Sequence, residues 1–392
     1  MNAYGTAKIS IYEVLKVVLT NFNTTFYLEI MKKIILFILT CFPFFCWSQK
    51  ISMFVGTYTS NTQSKGIYAF DFNTKTGEIE LISTISMVNP SFLARKDNIL
   101  YAVSEQEQGS LAAYSFSQEK FTLLNTVSTK GANPCHVSVS PNNNLIAVSN
   151  YSGGSFLLYG LESNGVIGDI KDFVQHEGAG IDKVRQAGPH VHSAFFSKKG
   201  DELFVQDLGL DQISIYRLIN PKKSTIKLGQ DPEEVFSSAG GGPRHIVFDK
   251  KGKYMYVVLE MTADIAVYER EGSDWLFYQS ININPDGFSG QNGAADIKVS
   301  PDGKFLYATN RGDANTIGIF AVGRDGKLIK VANQSTKGKG PRNFNISPDG
   351  KFLLVANQTT NEIVVFNRDE KTGLLTDSGK TVSIPSPVCI IF

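Results

Sequence analysis

Four of the five histidines of the chain stand in three short motifs, Cys135-His136, His190-Val191-His192 and Arg244-His245. Imidazole takes or gives a proton near neutral pH, and guanidinium is a permanent cation whose paired donors fit a carboxylate, a phosphate or an oxyanion. Downstream lie a carboxylate, Glu260, and a second cation, Arg311, in Asn310-Arg311-Gly312-Asp313. Together His190, His192, Arg244, Glu260 and Arg311 hold the parts for adding water to an ester. A histidine or Glu260 would activate the water, and the two arginines would hold an anionic substrate and steady the tetrahedral oxyanion. His136, Asn150, Asp207, His245, Arg342 and Asn357 are the candidate substrate contacts around that centre.

Each residue also has a quieter reading. Arg244 and Glu260 could form a plain structural ion pair, Arg311 could bond a loop carbonyl, and one of the pair His190 and His192 could cap a strand. Glu105, Asn150, Asp207 and Asn357 are of the types that cap turns at strand ends. His190 and His192, two apart on a strand, would point the same way. A metal there would need a third ligand such as Glu260, and no zinc-type local spacing occurs, so the expectation is a site without metal or cofactor. Gly-x-Ser-x-Gly, Walker and Gly-x-Gly-x-x-Gly patterns are absent, which removes the usual supports for a serine hydrolase or a nucleotide site.

Residues so far apart in the chain need a fold that gathers them, and a repeat provides one. Its unit opens near a proline, runs through an apolar stretch to a turn like Ser-Pro-Asp-Gly-Lys, continues through a second apolar stretch ending in polar residues, and closes on a third ending in Tyr or Phe. Ala295–Phe320 and Pro341–Phe366 align without a gap. The anchors Pro90, Pro134, Pro189, Pro243, Ala295, Pro341 and Pro387 are spaced by roughly 44 to 55 residues, which suits four antiparallel strands per unit. The stretch from residue 51 to 86 lacks an opening strand, while Val388–Phe392 is one strand left over. Pairing the two closes a ring and removes its exposed edges. The reading is all-β: a seven-bladed β-propeller over residues 49–392, closed by the C-terminal strand joining the N-terminal blade.

Within each unit the start of the first strand, A, and the end of the second, B, share one end of the sheet near the axis. Starts of A carry His136, His190, His192, Arg244, His245, Asp296 and Arg342; ends of B carry Glu105, Asn150, Asp207, Glu260, Asn310, Arg311 and Asn357. The constellation is therefore expected on one face.

Composition agrees. The 392 residues include 35 Gly, 27 Phe and 15 Tyr, a mixture suited to strands and tight turns. Lys+Arg number 38 against Asp+Glu 37, a balance that speaks against a nucleic-acid partner. Lys32 and Lys33 followed by the apolar run Ile34–Trp47 read as a secretory signal peptide over residues 31–48, with Met31 as the start and residues 1–30 as an overextended reading frame. The mature protein would be secreted or periplasmic, with no stable membrane insertion after cleavage. Cys135 and Cys389 then remain, too few for a disulfide framework and expected as small buried residues.

From Phe54 to Phe392 the chain resembles the lactonase family of seven-bladed propellers, which includes bacterial 6-phosphogluconolactonases of propeller type and fungal carboxy-cis,cis-muconate cyclases. The matching pieces are FVGTYT, NPSFLA before Glu105, GPHVHS, QDLGLDQISIY, GGPRH, ATNRG and VANQ. The resemblance implies a central cleft with a histidine, two arginines and a glutamate. These fall here on the His190/His192 motif, Arg244, Arg311 and Glu260. It also implies opening of a sugar-type lactone by water, in carbohydrate metabolism, without a metal. The family's Asn-Glu-Leu is Leu259-Glu260-Met261 here, so the glutamate is kept and its neighbours differ. Lactone formation by a cyclase would use the same groups, and a non-enzymatic propeller that binds a protein or glycan on its rim is the alternative from another class. Convergence of Arg244, Glu260, Arg311 and a histidine on one spot would favour chemistry over scaffolding.

Overall fold

A computed structural model describes residues 50–392 except Asn143 and residues 220–225, together with Glu29, Lys32 and Lys33. The sequence readings of residues 1–30 and of the leader at 31–48 fall, but for those three residues, outside the described part. Lys50–Phe392 forms one compact unit.

Strand-forming runs interrupted by glycine turns dictate its local structure. In the Ser-Pro-Asp-Gly-Lys turns the serine and aspartate side chains bond each other, Ser300 with Asp302 at 2.5 Å and Ser347 with Asp349 at 2.6 Å. Gly303 and Gly350 then take φ of 77° and 79°, a conformation that costs glycine no Cβ clash. The chain reverses, and the B strand follows antiparallel to A.

Among the described residues the strands form seven sheets. Blade 1 holds Lys50–Thr57, Gly66–Asn73 and Ile79–Ser86; blade 2 runs from Leu93 to Ser128, blade 3 from Pro134 to Gln175, and blade 4 from Val191 to Phe236. Blades 5, 6 and 7 run from Pro243 to Asn282, Ala294 to Ser335 and Pro341 to Ser383. The last strand, Pro387–Ile391, pairs antiparallel with the first, Phe54 opposite Ile391 and Val55 opposite Ile390, and so supplies the missing inner strand of blade 1. Every inner strand lies against those of both neighbouring blades, which makes the ring continuous. Blade 4 departs from the regular pattern: its outer strand is split into Lys227–Leu228 and Glu233–Phe236. Pro232, lying between the pieces, has no N–H to give a ladder.

Each of seven apolar clusters spans one pair of neighbouring blades, as where Tyr256 and Val258 of blade 5 meet Ile297 and Leu306 of blade 6. The B strands of blades 3 to 7 are consequently buried along their whole length, whereas outer strands such as Ile167–Gln175 are largely accessible. Burying a side chain of Leu or Phe size stabilises by about 1.5–3 kcal/mol, so the blade interfaces hold the ring together. A tyrosine repeats at three of them. Tyr101, Tyr256 and Tyr307 donate to the carbonyls of Gly165, Gly326 and Gly373 in the next blade's outer turn. At Gly326 an added Cβ would lie 2.3 Å from the Tyr254 ring. Cys135 and Cys389 are buried and free, as small core residues.

Candidate active site

Inner strands alone would alternate their side chains, but six of them carry an irregularity at the start of the A–B ladder. The register skips at Cys135, His192, Arg244, residues 295–296, Arg342 and Val388. A bulge leaves one residue unpaired and re-aims its side chain. The skipped residues include two of the candidate cations, Arg244 and Arg342.

Arg244 runs to Glu260 at the end of the neighbouring B strand, with Nε donating to Oε2 at 2.9 Å and Nη1 donating to the Ala295 carbonyl. Arg311 of blade 6 reaches the same oxygen, Nη2 to Oε2 3.1 Å, while its Nε is tied to the Gly293 carbonyl at 2.7 Å. A third guanidinium, which the sequence reading missed, takes the other oxygen: Arg185 Nη2 donates to Glu260 Oε1 at 2.7 Å. Side-chain exposure climbs across the group, from 3% for Arg244 through 18% for Arg311 to 45% for Arg185. Burial pushes the Glu260 carboxyl up, but Arg311, Arg244 and Arg185 outweigh it and hold the pKa at about 2. Glu260 is therefore an ionised acceptor that fixes guanidinium groups. Burial draws Arg311 down to about 10, which leaves it charged at neutral pH.

Around this cluster stand two further groups. Arg342 Nη2 donates to the Tyr58 hydroxyl at 2.9 Å, and that hydroxyl donates to Glu105 Oε2 at 2.9 Å. Tyr151 stacks on His190 with ring centroids 4.5 Å apart and meets the edge of His192 at 5.6 Å. His190 Nδ1 lies 3.2 Å from the Tyr151 carbonyl. A carbonyl only accepts, so Nδ1 carries the proton and Nε2 is left as a basic nitrogen. His190 is partly exposed; His192 is buried, and burial together with Arg244 holds its pKa well below the ordinary value. The two histidines both touch Tyr151 but differ in access. Among the described residues His190, His192 and Glu260 do not gather as metal ligands.

Below Arg244 lies a closed hub. His136 packs between Phe92 and Phe195, each 4.4 Å between centroids, and His245 stands 5.5 Å from His136 and 5.3 Å from His192. His136 Nδ1 accepts from the Ala194 N–H at 3.3 Å, and His245 Nδ1 donates to Asp296 Oδ1 at 3.0 Å. Asp296 is also held by Lys298 and by Asn343. Burial lowers both imidazoles, His136 well below the ordinary value and His245 to about 4. These rings are neutral packing elements, so His136 and His245 do not face the cleft as the sequence list had them.

Three other candidates are engaged elsewhere. Asn150 and Asn357, both fully buried, donate to the carbonyls of Thr129 and Thr336 in equivalent ties between a strand end and the preceding loop. Asp207, also fully buried, accepts from the backbone N–H groups of His190 and Gly209 and pairs with His176 Nδ1 at 2.8 Å. These are the turn-capping roles, and they leave no exposed surface for a substrate. The stretch His176–Gly180 begins with this buried His176; the side chain from that connection that reaches the site is Arg185. Tyr58 follows its B strand at the position that Glu105 and Tyr151 occupy in the next blades, a signal hidden because tyrosine reads as core. Arg185, on a connection without strand periodicity, had no signal beyond its nearness to the His190 motif.

With the geometry established, three comparisons bear on it. The family described as Lactonase, 7-bladed beta-propeller matches residues 52–392. A 6-phosphogluconolactonase of Formosa agariphila is 38% identical over 336 residues, covering 82% of this chain and 94% of that protein. Among solved structures, a putative 6-phosphogluconolactonase of Bacteroides fragilis is 37% identical with a TM-score of 0.83, covering 88% of this chain and 98% of that one. The periplasmic gluconolactonase of Pseudomonas aeruginosa is 32% identical with a TM-score of 0.82, covering 87% and 98%.

Proposed function

The chain belongs to the lactonase family of seven-bladed β-propellers, and from that premise we propose that it hydrolyses a sugar-type lactone in carbohydrate metabolism. The observation that carries the reading is the meeting of Arg244 and Arg311 on one carboxylate oxygen of Glu260, in a cleft flanked by a histidine with a basic nitrogen.

His190 Nε2 takes a proton from water as its oxygen attacks the lactone carbonyl carbon. Arg244 and Arg311 face the oxygen on which negative charge develops; pre-aimed cations in a partly desolvated cleft need no reorganisation at that moment. The tetrahedral intermediate collapses by breaking the bond to the ring oxygen, which receives the proton from His190. The product is the open hydroxy acid. Glu260, ionised far below neutral pH, acts as the positioning residue that holds both guanidinium groups in place. Release of an anion from a cationic cleft then depends on exchange with solvent.

Export is part of the same reading. Lys32 and Lys33 before the apolar run Ile34–Trp47 have the form of a cleavable leader, and the Pseudomonas aeruginosa relative is described as periplasmic. The substrate would then be a lactone met outside the cytoplasm. Amino-terminal sequencing of exported protein should begin at Gln49; a start at Met1 would refute cleavage.

A screen of purified protein against δ- and γ-lactones by proton release tests the activity. Arg244→Ala and Glu260→Ala should both lose most turnover, and undiminished turnover in both would move the active site elsewhere.

A further inference from the structure

Among the three guanidinium groups on Glu260, Arg185 is set apart by its mounting. Its backbone belongs to an anchored turn in the connection between blades 3 and 4. Asp182 Oδ1 accepts the N–H groups of Val184 and Arg185, and the fully buried Gln186 donates to the Leu208 carbonyl and to Asp211. The base of the turn is fixed while the side chain, 45% exposed, crosses to blade 5. Arg244 and Arg311 are each pinned by a backbone carbonyl as well as by Glu260, and both are far less exposed. A long side chain on a fixed base can change partners, and an ion pair with one half-exposed member costs little to break.

The charge balance supplies a reason to change. Among the described residues of this cleft, four guanidinium groups, of Arg185, Arg244, Arg311 and Arg342, face two carboxylates, Glu260 and Glu105. Such a cleft is short of negative charge. Arg185 and the two inner arginines occupy opposite oxygens of one carboxylate, so a cation for a substituent and cations for the reacting carbonyl lie within the span of one sugar ring.

We propose that Arg185 is the specificity residue of the site: it leaves Glu260 Oε1 to bind an exocyclic anion on the lactone, phosphate or carboxylate, and so selects charged lactones over neutral ones. This rests on the lactonase reading. Guanidinium binds either anion through paired hydrogen bonds.

Three lactones test it: D-glucono-1,5-lactone, its 6-phosphate, and D-glucaro-1,4-lactone, which carries a carboxylate. The full protein should hydrolyse at least one charged lactone with a higher kcat/KM than the neutral one. In Arg185→Gln that ratio should fall at least tenfold, chiefly through KM on the charged lactone, with the melting temperature kept. Arg185→Lys should recover part of the ratio, because the charge returns without the fork. The charged arm that suffers more identifies the anion. A wild-type preference for the neutral lactone, or equal losses on charged and neutral lactones in Arg185→Gln, overturns the assignment alone. Failure of wild type on all three overturns the lactonase reading, and the assignment with it.

Discussion

Arg244 and His245 are consecutive on one strand, yet they serve two different regions. The bulge sends Arg244 to Glu260 in the cleft, while His245 turns to Asp296 among buried rings. In the cleft, opposite charges meet in graded exposure; in the hub, His136, His192 and His245 are neutral because the cost of burying a charge, added to the repulsion of Arg244, outweighs what Asp296 returns to His245. The difference shows that a polar residue near a propeller axis is identified by access and partners. Its type and strand position do not suffice.

The sharpest way to break this contrast is to cut one residue from each region. Arg244→Ala should lower kcat on a hydrolysed lactone by about 10²–10³-fold, the range for removing one preorganised donor to an oxyanion. His136→Phe should stay within a few-fold of wild type. Comparable losses in both, with circular dichroism reporting a native fold, would erase the distinction between cleft and hub.

Next comes the histidine pair, which straddles the border. His190→Gln should cost about 10²-fold in kcat, as for loss of a general base, and leave the melting temperature in place. His192→Gln should reverse the pattern, lowering the melting temperature through its buried surroundings while turnover per folded molecule persists. If His192→Gln instead abolishes turnover in a fully folded protein, the acting imidazole is the inner one.

A smaller effect is expected at the strand-end ties. Asn357→Ala removes the donor to the buried Thr336 carbonyl and should cost about 1–3 kcal/mol of stability in urea unfolding, with kcat unaltered. A drop in kcat without a change in stability would return Asn357 to the substrate.

Acid should weaken the hub gradually. Unfolded imidazoles bind protons below about pH 6.5, whereas His245 resists protonation until about 4 and His136 and His192 are likewise held well below the ordinary value. The unfolded state therefore binds more protons in this window, so stability falls as pH drops below about 6.5. For His245 the loss levels off near 4; Glu260, held at about 2, adds a loss of the same sign below its ordinary range. Melting temperatures measured from pH 7 to pH 4 should decline, less steeply in His136→Phe. A flat profile would contradict neutral histidines in the hub.

Much was legible beforehand because a propeller writes its plan locally. Turn glycines at 252, 303 and 350, apolar runs between them and one surplus strand at the C-terminus determined the blades and their closure, since each depends on residues a few positions apart or on one unpaired edge. Strand-end position likewise brought Arg244, Glu260 and Arg311 onto one face. Tertiary structure alone decided the rest. A one-residue slip in the inner strand of blade 5 separates Arg244 from His245, full burial removes Asn150, Asp207 and Asn357 from the cleft, and Arg185 crosses from another blade's connection to Glu260. The reason is physical: type and periodicity fix which way a regular strand points, whereas bulges, burial and long connections are settled only when seven sheets pack around a common axis.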